Sequence, residues 1–229
     1  WLQDNELVPY TLNGFPFGDF HQQVVKHDVY LPTWADSKRL EYTIQLANIL
    51  DVLLPVGQNG TISTLPLGWP LPPDTARPQV SEFFKCSAVN LQKCAEHLDG
   101  LSQINGRNLF ICIEPEPGCM LDTCEDVIDF FDQHLLNKSQ PESDVIRSHI
   151  GVCHDICHSA VMFETQHKAI EKYCNANIRV GKVQVSSAVE VNFDRSTPDQ
   201  KQEKIEQLSR FSEPKYLHQT VIRTDTKTT

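Results

Sequence analysis

Residues 108–117 read NLFICIEPEP: a short, nearly continuous apolar run that stops on two carboxylates separated by a proline. The run is too short for a helix and reads as a strand, Asn108–Ile113. A strand without polar alternation is covered on both faces, and such strands belong to parallel sheets packed between helices. Glu114 and Glu116 follow directly. In parallel α/β folds the active site lies at this carboxyl end of the strands.

The same alternation repeats on either side. Leu7–Phe15 (LVPYTLNGF), Thr61–Leu67, His149–Cys153 and Ile178–Val185 (IRVGKVQV) read as four further strands. Asp36–Leu54 reads as a helix, with Leu40, Ile44, Ala47 and Leu50 at helical spacing behind an Asp36-Ser37 N-cap. More helices are expected around Val80–Leu98, from Thr123-Cys124-Glu125-Asp126 onward, and from about Ala160 to Tyr173. The tail, Thr197–Thr229, is polar, with one helix at Asp199–Phe211 and a short apolar piece at Tyr216–Ile222. Lys201–Glu206 (KQEKIE) is a mixed charge run, the pattern of a solvated helix face. Five strands fit a doubly wound sheet, whereas a (β/α)8 barrel needs three more. No G-x-G-x-x-G turn follows any strand, which weakens dinucleotide binding. Pattern alone leaves barrel and open sheet level.

Composition narrows the class. The 229 residues are 40% hydrophobic and 22% charged, as in an ordinary globular domain. A net charge of −10 repels phosphate backbones and weighs against nucleic acid as a partner. No apolar run approaches the roughly 20 residues of a membrane-spanning helix. Eight cysteines are too few for a disulfide scaffold of this length, so reduced thiols and a cytoplasmic location are expected. The opening WLQDNELVPY lacks an initiator Met and a signal-peptide pattern, and reads like a helix cut mid-element, as in a fragment.

The strand ends carry the chemistry. The first runs into Asn13, with Asp19 and His21 beyond; the last carries Gln184 and Ser186. Between them, 150-IGVCHDICHSA-160 crowds two cysteines, two histidines and an aspartate into Cys153–His158. Haem attachment needs C-x-x-C-H, and C-x-x-x-C-H is one residue too long. A thioredoxin-like C-x-x-C fails for the same reason. A structural zinc site wants a second cysteine pair, and Cys119/Cys124 is a poor match. What survives is Asp155-x-x-His158, a carboxylate at the strand end and an imidazole on the next turn. The cysteines then fall to core packing, and His154 points the other way as a packed histidine. Carboxylates ending apolar strands need compensation. Either a divalent cation (Mn, Mg, Co or Zn) neutralises them, or Glu114 pairs with a base such as Lys182 while Asp155 caps the following helix.

Six ordered blocks resemble the xylose-isomerase-like TIM barrels, and within them the metabolite-traffic TIM-barrel proteins of bacterial ebo gene clusters. The blocks are T-L-N-G-F-P-F-G-x-F-H (11–21), K-x-x-V-Y-x-P-x-W (26–34), S-T-L-P (63–66), E-P-E-P (114–117), G-V-C-H-D-I-C-H-x-A-V-x-F-E (151–164) and K-V-Q-V-S-S-A (182–188). The resemblance implies a (β/α)8 barrel whose N- and C-terminal strands lie outside this chain. Residues 1–229 would form a single incomplete domain, five βα units in 1–190 and a polar helical extension in 191–229. It implies Glu114 and Asp155 as metal ligands, His158 as ligand or substrate contact, and Glu114 and His158 as the catalytic pair. Asn13, His21, Glu116 and Ser186 would contact substrate. Gln184 stands where isomerases and epimerases of the superfamily usually place a histidine, and a neutral amide is a weaker ligand. Two functions are implied: handling a small polar, sugar-like metabolite in secondary-metabolite traffic, or metal-dependent sugar isomerisation or epimerisation. A metal-dependent phosphodiesterase would want more histidines and a basic face.

Overall fold

The computed structural model describes all residues except 19–24, 138, 213–216, 218, 225, 226 and 229. Five strands, β1 (Thr11–Asn13), β2 (Asn59–Thr64), β3 (Asn108–Ile113), β4 (Ile150–Asp155) and β5 (Val180–Gln184), form one sheet. All pairs are parallel and the spatial order is β1-β2-β3-β4-β5. That order decides between the two architectures. A doubly wound sheet reverses direction at a switch point, while a barrel adds each strand on the same side as the last. There is no reversal here.

The sheet is also curled. Lys182 on β5 reaches across the concave face, its Nζ 3.1 Å from Ser63 Oγ on β2 and 3.4 Å from the Leu12 carbonyl on β1. A Cβ on Gly181 of β5 would lie 2.7 Å from Cys112 Sγ on β3. Strands two to four places apart meet across the interior only in a sheet bent into part of a barrel. Lys182 is thereby committed elsewhere, and the Lys182–Glu114 pair, the alternative to a metal, does not form.

Both faces of β3 are buried, which explains why NLFICI shows no polar alternation. Leu109, Ile111 and Ile113 join the main core under the helices, while Phe110 and Cys112 pack with Cys153 on the concave side. The helices covering the convex face include α1 (Ser37–Leu53), α2 (Arg77–Asn105) and α3 (Cys124–Phe130). Asp36 caps α1 by accepting from Lys38 N–H. Gly106, at φ 64°, ends α2 in the left-handed conformation that glycine adopts freely.

Several boundaries differ from the sequence reading: β1 is shorter than the expected 7–15, β2 lies earlier than the expected 61–67, and α2 is longer than the expected 80–98. The expected helix over 160–173 is two, α5 (Ile156–Val161) and α6 (Gln166–Asn175), broken at Phe163, whose φ is 57°. An additional helix, α4 (Gln140–His149), was legible as a capping box: Ser139 and Glu142 bond reciprocally, with Pro141 in the first turn. His149 therefore ends α4 rather than starting β4. The last helix, α7 (Pro198–Ser209), is close to its expected span.

Arg39 fixes the first strand end. Its side chain is fully buried, and its guanidinium donates to the carbonyls of Gly14, Phe15 and Pro32 at 2.8–3.1 Å. Burial lowers its pKa to about 10, so it stays cationic at neutral pH and lashes the loop after β1 to the start of α1.

The β4–β5 contact is tight at Gly151, where an added Cβ would sit 2.5 Å from the Arg179 carbonyl oxygen. That oxygen accepts from Val152 N–H at 2.8 Å. Backbone cannot yield as a side chain can, so Gly151→Ala is expected to destabilise by about 1–3 kcal/mol, read as a lower urea midpoint with an unchanged m-value.

Candidate functional site

The strand ends surround one cavity of about 300 Å³, lined among others by Asn13, Phe15, Tyr30, Glu114, Glu116, Asp155, His158 and Gln184. Its base is the end of β4. Asp155 is buried, and as N-cap of α5 its Oδ1 accepts from Cys157 N–H at 2.9 Å and lies 3.5 Å from His158 N. Ser186 Oγ donates to the same oxygen at 2.5 Å, and Gln184 Nε2 donates to Oδ2 at 3.1 Å. Burial alone would raise this carboxyl. The hydrogen bonds from Ser186 and Cys157, with the nearby His158, outweigh it and hold Asp155 below the usual range. Asp155 does cap the following helix, and the same carboxylate also lines the cavity.

His158 sits on the first turn of α5. Its Nδ1 is 3.0 Å from the Pro115 carbonyl and must carry the proton of that bond, which leaves Nε2 as the free lone pair when the ring is neutral. The same Nδ1 is 3.7 Å from Glu114 Oε1. Glu114 is almost fully buried, and its pKa is pushed up to about 7. Burial is the main cause, opposed by His158 and reinforced by the negative charges of Asp155 and Glu116; a hydrogen bond from Gln184 pulls the other way. The Gln184 amide thus serves both carboxylates as a neutral donor.

Asp155, Cys157 and His158 each offer a ligand atom, and these atoms lie within 4.8 Å of one another. Cys157 corrects the reading that both cysteines of the 150–160 stretch pack in the core. It is half-buried at the head of α5, whereas Cys94, Cys112 and Cys153 are buried. Burial raises the Cys157 thiol despite the Ser186 hydrogen bond, so it is protonated at neutral pH and a cation would have to displace the proton. The donor chemistry fits a divalent ion: one carboxylate oxygen, one sulfur and one imidazole nitrogen, a set that favours zinc or cobalt over magnesium. Glu114 lines the same cavity outside this compact set.

The other expected residues fall as follows. Asn13 lines the cavity and its Oδ1 accepts from Phe15 N–H at 3.1 Å and Ser63 Oγ at 3.3 Å. Ser186 acts on Asp155 and Cys157 N–H rather than standing open toward a ligand. Glu116 accepts from Tyr30 OH at 2.9 Å and from Gln219 Nε2 at 2.7 Å. His21, with Asp19, lies outside the described residues. His154 is a packed histidine, 2.6 Å from Gln166 Oε1 and edge-on to Tyr173. Tyr30 and Gln219 escaped the sequence reading. Tyr30 lies within the block 26–34 quoted above, but Gln219 carries no local signal because only the chain's return brings it here.

No protein-family model matches the chain, and no curated protein matches it significantly. Among solved structures, a zinc-bound IolI protein is similar at 14% identity and a TM-score of 0.43, over 75% of this chain and 49% of that one. The chain therefore spans about half the length of that protein. Among the described residues no helix is long and apolar enough to cross a membrane.

Glu114 gives a pH signature in the metal-free protein. Its unfolded carboxyl titrates near 4.3 and its folded one at about 7. Between those values the unfolded chain releases a proton that the folded protein keeps, so stability falls as pH rises, by up to about 3 kcal/mol, and levels off above. Glu114→Gln should remove that slope and be more stable than the parent at pH 8. Asp122, also pushed up to about 7 by burial and Asp126, keeps its own slope in both proteins. The quantity to measure is therefore the parent–variant difference in urea midpoint across pH 4.5–8.

Proposed function

We propose that this chain is part of a xylose-isomerase-like barrel that binds or converts a small polar metabolite beside a divalent metal held by Asp155, Cys157 and His158. The observation that carries the reading is the clustering of those three donor atoms within 4.8 Å at the carboxyl end of a parallel sheet, with Asp155 and His158 on the wall of a ligand-sized cavity. In this reading Asp155 is kept anionic and oriented by Ser186, Gln184 and Cys157 N–H, and His158 by the Pro115 carbonyl. Such outer partners are what fixed geometry requires of metal ligands. A metal bound there would supply Lewis acidity toward an oxygen of the metabolite.

Metabolite traffic, as in the ebo-cluster proteins, needs only binding. A second reading, isomerase or epimerase, is favoured by Glu114. A carboxyl with a pKa of about 7, buried and 3.7 Å from His158, can both take and return a proton at neutral pH. The Gln184 amide and the nearby His158 steady its charged form.

The test is metal content of the protein purified without chelator, alongside Asp155→Ala and Cys157→Ser. Near-stoichiometric zinc or cobalt in the parent is expected, lost in Asp155→Ala and bound at least about tenfold more weakly in Cys157→Ser. Absence of metal from a folded parent would remove the metalloprotein reading and leave metabolite binding alone.

A further inference from the structure

The wall of the cavity formed by Tyr30, Glu116 and Gln219 has a chemistry of its own. Glu116 Oε1 accepts from Tyr30 OH at 2.9 Å and from Gln219 Nε2 at 2.7 Å, and the same nitrogen is 3.1 Å from Tyr30 OH. Glu116 Oε2 meets only the Cys119 thiol, a weak donor at 3.9 Å. Among the described residues no lysine, arginine or histidine pairs with Glu116. Lys26 lines the cavity without making an ion pair there, and Lys182 is spent on Ser63 and Leu12. Tyr30 is the centre of an aromatic group, with the Phe15 ring 5.7 Å and the Trp69 ring 5.2 Å from it.

A half-buried carboxylate without a cation among the described residues, beside a tyrosine hydroxyl and facing a cavity, is the surrounding that an alkylammonium group seeks, through charge-assisted hydrogen bonding. The Gln219 carboxamide nitrogen now occupies the position such a group would take, as a neutral stand-in contributed by the chain's own C-terminal segment. We infer that Tyr30 and Glu116 form an ammonium-binding subsite, so that the cavity's ligand carries a primary amine, which displaces the Gln219 amide on binding. The inference rests on the cavity being the ligand site, but not on the metal. A carboxylate or phosphate in this position would face Glu116 and is disfavoured.

Three probes of one size separate the chemistries: ethanolamine, ethylene glycol and glycolate, titrated into the full chain at neutral pH. Amide and indole signals of Gln219 and Trp69 report binding by NMR, and metal content is measured on the same samples. Ethanolamine should bind at least about tenfold more tightly than ethylene glycol, with glycolate weakest. Glu116→Gln, which keeps the shape and removes the charge, should abolish the preference, and Gln219→Ala should strengthen ethanolamine binding by removing its competitor. Equal binding of ethanolamine and ethylene glycol, a preference that survives Glu116→Gln, or no response of Gln219 and Trp69 at tens of millimolar would each overturn the inference. Metal bound normally without an ethanolamine response refutes the amine subsite alone. A Glu116-dependent ethanolamine response without metal refutes the metal centre alone.

Discussion

The site depends on the solvation of one carboxylate. Asp155 ends a fully buried strand, where an uncompensated charge would be costly. Its compensation comes from three places at once: backbone N–H of α5, Ser186 Oγ beyond β5, and the Gln184 amide on β5. Each donor ties a separate segment to the end of β4. The direction in which α5 leaves the sheet, the closeness of β5 and the position of His158 all follow from keeping that charge satisfied.

Glu114, one strand away, shows the opposite solution to the same problem. It is more deeply buried and less well supplied with donors, so it responds by holding its proton to a pH of about 7. Two carboxylates on adjacent strands are thereby separated into one that is charged at neutral pH and one that exchanges protons near neutrality. Such a separation is how environment assigns acid–base and ligand roles to chemically similar groups. Lys182 would have abolished the difference by neutralising Glu114, and the curl of the sheet takes it away to Ser63 and Leu12 instead.

The elements that were readable in the sequence are those whose signal is local. NLFICI was assigned to its residue, and the α1 cap at Asp36 was found because capping is a contact between near neighbours. The capping box of α4 was equally local and was missed for want of apolar periodicity in QPESDVIRSH. Asp155-x-x-His158 was readable because strand end and first helical turn are consecutive. Cys157 lay inside the same stretch, yet its place in the donor set depends on α5 starting at Ile156, several residues earlier than the helix was expected.

The sequence by itself determined an alternation of buried strands and helices, and with it parallel βα units carrying polar residues at their carboxyl ends. Solvation and hydrogen-bonding constraints that act within a few residues suffice for that. Only the tertiary structure decided that the strands add in sequential order and curl. It also decided that Lys182 crosses the interior rather than pairing with Glu114, and that Gln219, 103 positions from Glu116, closes the cavity wall. These are contacts between segments far apart along the chain. Their partners are selected by packing and by competition for buried charge, which no stretch of sequence contains.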